Sequence, residues 1–284
     1  MADFILSLTC TGAGSPSAAR IGVESGVLDV LRSVRAVLKD CAHYRDPETG
    51  RLFMRLMFSA KEEEAVRSPL AARASTLGLE WQLTAVDHRP SVVVFVSKFA
   101  HCAQDLLAQA KELGMRVAAV LSNHGDFAPF AAAAGVPFYH LPIVEGRRQR
   151  QEAVALDLVR AAGAELVILA RYMQVLSPDL VTALPCPVIN IHHSLLPAFK
   201  GAEPYGQAYA AGVRVIGATA HYVTAGLDDG PIIEQEVARV SPRHSREDFR
   251  KIGGELERRT LARAVRLHLD GRVFRIGDRT FVLE

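Results

Sequence analysis

The sequence predicts an α/β chain of two domains: a ferredoxin-like α+β domain over residues 1–88, then a doubly wound, mostly parallel sheet over 89–284. Three observations predict it. A chain of 284 residues is long for one average domain and comfortable for two. Its first part orders as β-α-β-β-α-β. Beyond the polar stretch Asp87-His88-Arg89-Pro90, near-continuous apolar runs alternate with helical segments, the pattern of strands buried on both faces by crossover helices.

In the first domain, residues 3–9 read as a strand. A helix between Ala18 and Leu31 follows, weakened by Gly22 and Gly26. Val34–Tyr44 and Arg51–Phe58 flank Asp46-Pro47-Glu48-Thr49-Gly50, whose Asp-Pro and Gly signal a hairpin turn. Period-2 alternation puts Leu52, Met54, Leu56 and Phe58 on one face, with Arg51 and Arg55 on the other. Glu62–Leu77 is expected as a helix, its start delayed by Pro69, and Leu79–Val86 as the returning strand. In the second domain the apolar runs 92–96, 117–121, 166–169 and 188–189 are strands. Helices at Gln104–Leu113, Gln149–Ala162 and Pro178–Leu184 separate them. Gly217–Val223 and Pro231–Val240 follow as strands, Ser245–Leu269 as a long charged helix, and 273–274 with 281–283 as a terminal hairpin. Ligands of such sheets bind beyond the carboxyl ends of the strands.

Composition narrows the function classes. With 33 Lys+Arg against 31 Asp+Glu, the formal charge is +2, so there is no basic field for nucleic acid. Cys10, Cys41, Cys102 and Cys186 are scattered without a CxxC pair, which suits a reducing compartment better than a disulfide framework or zinc site. No apolar run approaches the roughly 20 residues that span a bilayer. The N-terminus reads as a strand, without a signal-like segment, so no membrane partner and a cytoplasmic location are the expectations.

Polar chemistry concentrates in Asn190-Ile191-His192-His193-Ser194-Leu195-Leu196-Pro197, at the end of the run 188–189. Period 2 puts Asn190 and His192 on one side of the strand, where an amide and an imidazole can both donate to a developing oxyanion. Taken alone, a strand end with a capping Asn and two solvated histidines is the commoner meaning of such a motif. Metal binding by His192 and His193 is disfavoured, because neighbouring strand residues point apart and no carboxylate or Cys sits at ligand spacing. The second cluster is Gly226-Leu227-Asp228-Asp229-Gly230-Pro231. Its glycines let the backbone bring a carboxylate close to a ligand, although, taken alone, Asp-Asp-Gly is more often a surface turn.

Asn190-Ile191-His192, then Ser194-Leu195-Leu196-Pro197, then Leu227-Asp228-Asp229-Gly230-Pro231 resembles the folate-dependent formyltransferase family. In that family the matching Asn, His and Asp form the catalytic triad, so the resemblance assigns these roles to Asn190, His192 and Asp228. It also matches His221 to a supporting histidine, and Arg171-Tyr172-Met173-Gln174-Val175-Leu176-Ser177 to the stretch lining the pterin pocket. Arg171, Met173, Gln174, Val175, Leu176, His193, His221, Gly226 and Leu227 are therefore the expected substrate-binding residues. Within the family, His192-His193 with Ala198-Phe199-Lys200-Gly201-Ala202, and Val96-Ser97-Lys98 with His101-Cys102, resemble the deformylase branch. Ser97–Cys102 contains no glycine, where the relative that formylates glycinamide ribonucleotide has a phosphate-cradling loop. The front domain resembles the ACT domain of that branch, and implies a homo-oligomer assembled through it.

The resemblance implies hydrolysis of 10-formyltetrahydrofolate to formate and tetrahydrofolate, with no cofactor and no metal, since the folate is the substrate. Asp228 would act as general base, its pKa raised by the folate pocket, while Asn190 and a protonated His192 stabilise the oxyanion. Either His192 or Asp228 can protonate the leaving nitrogen. His193 either orders the attacking water or packs at the strand end. A formyltransferase with an amine acceptor and a non-catalytic folate or amino-acid sensor are the alternatives. Two departures stand out. The first ACT loop reads Cys10-Thr11-Gly12-Ala13-Gly14-Ser15-Pro16 where the family has Asp-Arg-x-Gly, and Gly206 lies where a larger polar residue is usual.

Overall fold

A computed structural model describes residues 1–10, 16–199, 201 and 203–284, with side chains in the first helix described from residue 22 onward. Most of the altered first ACT loop, and Lys200 and Ala202, therefore lie outside the described residues. Contacts divide the chain into two units: Met1–His88 with Leu267–Ile276 and Phe281–Glu284, and Arg89–Arg266 with Gly277–Thr280.

The first unit contains β1 (Ala2–Cys10), α1 (Pro16–Ser33), β2 (Val37–Arg45), β3 (Leu52–Ala60), α2 (Glu63–Leu77) and β4 (Leu79–Ala85). Its antiparallel sheet has the order β2-β3-β1-β4. On one face Leu6, Leu8, Leu52, Met54, Leu56 and Phe58 pack with Val27, Val66 and Leu70 from the helices. Gly26 does not break α1. A Cβ there would stand 3.1 Å from Leu77 Cδ1, so the glycine serves close approach of the two helices. Pro69 does not delay α2 but lies inside it, where burial of Val66, Leu70 and Ala74 outweighs one missing backbone bond. The hairpin turn forms as expected, with the Asp46 carboxylate accepting from the backbone N–H groups of Glu48 and Thr49.

One expectation needs correction. The terminal hairpin, placed with the second domain on sequence, is divided: Val273–Ile276 and Phe281–Glu284 group with the first unit, and its turn at Gly277–Thr280 stays with the second. The strands after Leu269, Val273–Ile276 and Arg279–Val282, form a sheet of their own, and Phe274, Phe281 and Leu283 cover Phe53 on the second face of the ferredoxin-like sheet. That cover explains why Arg55 is buried: its Nε donates to Asp270 O at 2.7 Å and its Nη1 to Asp40 Oδ2 at 3.0 Å.

The second unit runs β5 (Ser91–Val96), α3 (His101–Gln109), β6 (Arg116–Ser122), α4 (Ala128–Ala133), β7 (Phe138–His140), α5 (Arg148–Ala161), β8 (Leu166–Ala170), α6 (Pro178–Ala183), β9 (Val188–His192), α7 (Pro204–Ala210), β10 (Val215–Tyr222), β11 (Ile232–Arg239) and α8 (Arg246–Leu269). The sheet order is β11-β10-β9-β8-β5-β6-β7, parallel from β9 to β7 and antiparallel at β10 and β11. Short elements α4, β7 and α7 have no counterpart in the sequence reading, because they are too brief to establish a period. The chain builds outward from β5 to β7, then returns to place β8 on the other side of β5, so the strand order reverses between β5 and β8. That is where a crevice opens beyond the carboxyl ends of a doubly wound sheet. Ser97 ties the crevice floor together: its hydroxyl donates to Asn123 Oδ1 at 2.6 Å and accepts from Met173 N at 3.0 Å. Among the described residues no helix is long and apolar enough to cross a membrane.

Phe53 is fully buried between its own sheet and the terminal hairpin. Phe53→Ala is expected to destabilise the first unit by roughly 3–5 kcal/mol, measured as a lowered urea midpoint in fluorescence of Trp81.

Candidate active site

The antiparallel register of β9 against β10 pairs Asn190 with His221 and His192 with Thr219. All four side chains therefore share one face. His221 Nδ1 lies 3.0 Å from the Tyr222 carbonyl, which can only accept, so Nδ1 carries the proton. In the neutral ring Nε2 is then an acceptor for Asn190 Nδ2 at 3.2 Å, which orients the amide and leaves its second N–H free to donate elsewhere.

Asp228 reaches the same face from the loop after β10. His192 Nδ1 stands 3.2 Å from its Oδ2 and His221 Nε2 stands 3.8 Å from its Oδ1. Two backbone features return the carboxylate. Asp228 adopts a left-handed φ of 49°. Gly230 passes so close under Tyr222 that a Cβ would meet the Tyr222 carbonyl oxygen at 1.7 Å, so no other residue fits. The glycine required for the turn is thus Gly230, by close approach.

Asn190, His192, His221 and Asp228 line a pocket of about 340 Å³. Its walls include Arg171, Met173, Gln174, Val175, Leu176, His193, Gly226 and Leu227, so every residue expected at the substrate converges on one cavity. The apolar lining, from Leu169, Leu176, Val223 and Leu227, suits the flat face of a bicyclic ring.

Electrostatics corrects the expectation of a raised Asp228 pKa. Burial alone would push the carboxyl up, but the hydrogen bond from His192 and the charge of that imidazole hold it below its ordinary value. Asp228 is a carboxylate throughout the working range. His193 is depressed to about 3, first by burial and then by the charge of Arg171, and stays neutral. His192 Nε2 is buried without a hydrogen-bond partner among the described residues.

Two groups of residues contribute without having drawn notice in the sequence. Thr219, fully buried, accepts from Leu196 N and from Gln235 Nε2, each at 3.0 Å, and donates to Ser194 O at 2.8 Å. It pegs the 194–198 turn to the sheet, and its place two residues before His221 was the available signal. Glu257, on α8, lies beside the pocket at 2.8 Å from His101 Nε2 and 3.4 Å from Arg171 Nε. Burial works against its charge, but the His101 hydrogen bond and the Arg171 cation keep the carboxyl below its usual value. Nothing in a charged helix marks such a residue in advance. Ligand atoms of His101, Cys102 and Glu257 approach within 4.8 Å of one another, yet Arg171 already supplies the counter-charge there.

The formyl transferase family model matches residues 91–265. Among curated proteins the chain is 42% identical to the formyltetrahydrofolate deformylase of Corynebacterium sp. (strain P-1), covering 93% of this chain and 94% of that one. It is 39% identical to the enzyme of the same name from Bacillus subtilis (strain 168), covering 92% and 89%. The solved formyltetrahydrofolate deformylase of Burkholderia mallei superposes with a TM-score of 0.90 at 44% identity, covering 100% of both chains. Glycinamide ribonucleotide transformylase 1 from Symbiobacterium toebii superposes with a TM-score of 0.67 at 36% identity, covering 72% of this chain and 98% of that one.

The depressed Asp228 carboxyl is directly observable. In ¹³C NMR, with the resonance assigned by difference against Asp228→Asn, it is expected to titrate below 3.8. An inflection above that value would mean that desolvation outweighs His192.

Proposed function

The chain belongs to the formyl transferase family and, within it, to the formyltetrahydrofolate deformylases, and we propose that its hydrolysis of 10-formyltetrahydrofolate to formate and tetrahydrofolate runs through Asn190, His192 and Asp228. The observation that carries this reading is the convergence of an oriented amide, an imidazole and an ionised carboxylate on one face of one pocket.

The roles follow from the contacts. Asp228 Oδ2 is engaged by His192, and Oδ1, at 3.8 Å from His221, is free to take a proton from water. That water attacks the formyl carbon, and the carbonyl oxygen becomes an oxyanion. The free N–H of Asn190 and the Nε2–H of a protonated His192 donate to it, a stabilisation of about a hundred- to a thousand-fold per donor. Breaking the C–N bond requires a proton on the leaving nitrogen. Asp228 supplies it: a carboxyl held below its ordinary pKa is a strong acid once it has taken the proton from water. As the C–N bond breaks, the oxyanion re-forms the carbonyl and the product is formic acid, which loses its remaining proton to solvent as formate; His192 keeps its own proton throughout. No cofactor or metal enters this chemistry, in which the folate is the substrate and the acid–base groups are side chains. The enzyme works in the cytoplasm.

Water, and not an amine, is the acceptor. Ser97–Cys102 carries no glycine where a phosphorylated acceptor would need close backbone approach. Ser97 itself is committed to Asn123 and Met173.

Assembly through the first unit is a separate proposal. Strand β2 is an edge, and it exposes Val37, Leu38 and Tyr44, an association surface for a second copy of this chain.

Three outcomes are expected. Purified protein with 10-formyltetrahydrofolate alone releases formate and tetrahydrofolate in equal amounts, unchanged by glycinamide ribonucleotide. Formylation of that amine, with no formate in its absence, would establish the transferase instead. Asp228→Asn folds and binds substrate but loses at least about a hundredfold in turnover, followed by formate release. Leu38→Lys lowers the oligomer mass in light scattering, and an unchanged mass would place the interface elsewhere.

A further inference from the structure

Beside the substrate pocket lies a second cavity of about 420 Å³. Phe99, His101, Tyr205 and Glu257 bound it, and Arg171, Met173 and His193 form the wall it shares with the first. Arg171 is an unusual residue to find there. It is 8% exposed, its backbone holds a left-handed φ of 62°, and its Nε and Nη1 have no hydrogen-bond partner among the described residues. Its ion pair with Glu257, at 3.4 Å, is longer than a good hydrogen bond, and Glu257 makes its closer contact, 2.8 Å, with His101. Phe99 lies against the guanidinium at 5.0 Å. The other Lys and Arg side chains on this cavity are committed: Arg250 to Glu203 at 3.1 Å, Lys251 to Glu247 at 2.9 Å and Arg258 to Glu255. A buried guanidinium with unmet N–H groups is costly unless a ligand meets them, and its fork matches a carboxylate. Tyr205 is also buried, and its hydroxyl, a donor at any working pH, has no hydrogen-bond partner among the described residues.

The reaction releases a small carboxylate next to Asp228, which is itself ionised. The two anions repel, while the much larger tetrahydrofolate shares the same pocket. We propose that formate leaves the reacting centre through the second cavity, held there by the guanidinium of Arg171 with Tyr205 as a second donor. Arg171 and the neutral His193 form the threshold between the two cavities, so the anion moves from a carboxylate toward a cation without passing the folate. This role rests on the deformylase reading, but it is tested by binding, without turnover.

The experiment is a ¹³C-formate titration of the full-length protein by NMR, with and without saturating tetrahydrofolate. Formate is expected to bind in both conditions, since the two products occupy different cavities. Arg171→Gln should weaken it by about tenfold or more, while Asp228→Asn leaves it within about twofold. Displacement of formate by tetrahydrofolate, no binding to the unmodified protein, or undiminished binding to Arg171→Gln would overturn the proposal. So would tighter binding to Asp228→Asn, which would put formate beside that carboxylate. Should Arg171→Gln fail to fold, product inhibition of the unmodified enzyme decides. Formate inhibition with a noncompetitive component against 10-formyltetrahydrofolate supports the second cavity, and a strictly competitive pattern overturns it. Absence of formate release from 10-formyltetrahydrofolate would refute the deformylase reading itself, a separate result.

Discussion

The register between β9 and β10 is the constraint on which the site depends. Asn190 stands opposite His221 and His192 opposite Thr219 because the two strands run antiparallel in that one alignment. A slip of β9 by one residue would turn Asn190 and His192 to the other face, away from His221 and Thr219. The Asn190 amide would lose the imidazole that orients it, and His192 would leave Asp228. Thr219 guards the alignment from below, since its hydroxyl holds Leu196 N, Ser194 O and Gln235 at once. Gly230 guards it from the side, because only a residue without Cβ lets the loop pass under Tyr222 and bring Asp228 back over the strands.

The same strand end distributes charge between two neighbourhoods. His192 and His193 are adjacent and their ring centroids lie 5.2 Å apart, yet they serve different partners. His192 serves Asp228, and the pair keeps a carboxylate ionised in a half-buried pocket where desolvation alone would raise its pKa. His193 turns toward Arg171, which together with burial keeps it uncharged. Arg171 in turn balances Glu257, which His101 also holds. Each buried charge thus has a counter-charge within reach, the condition under which buried charge is tolerated.

The two units differ in how their sheets are closed. In the catalytic unit, crossover helices cover both faces, and the strand-order reversal between β5 and β8 leaves the crevice where Arg171 and Met173 lie. In the first unit, helices cover one face and the chain's own last residues cover the other. Phe53 and Arg55 therefore sit in an interior that their own hairpin does not supply.

Much of this was legible in the sequence, for a local reason. Period-2 alternation put Asn190 and His192 on one side of a strand; apolar runs marked the parallel strands; Asp46 to Gly50 marked a turn; and the motif around Asp228 marked the third member of the site. All of these patterns lie within a few residues, where side-chain direction follows from backbone period alone. What the tertiary structure decided lies across long separations. Glu257 meets His101 from 156 residues away, Arg55 finds Asp270 O from 215 residues away, and most of the terminal hairpin joins the first unit. The Asp228 pKa belongs to the same class: burial and a partner imidazole oppose each other there, and their balance is set by distances of 3 to 4 Å that no local pattern encodes. Sequence period tells a side chain which way to face; only the packed chain determines what it faces.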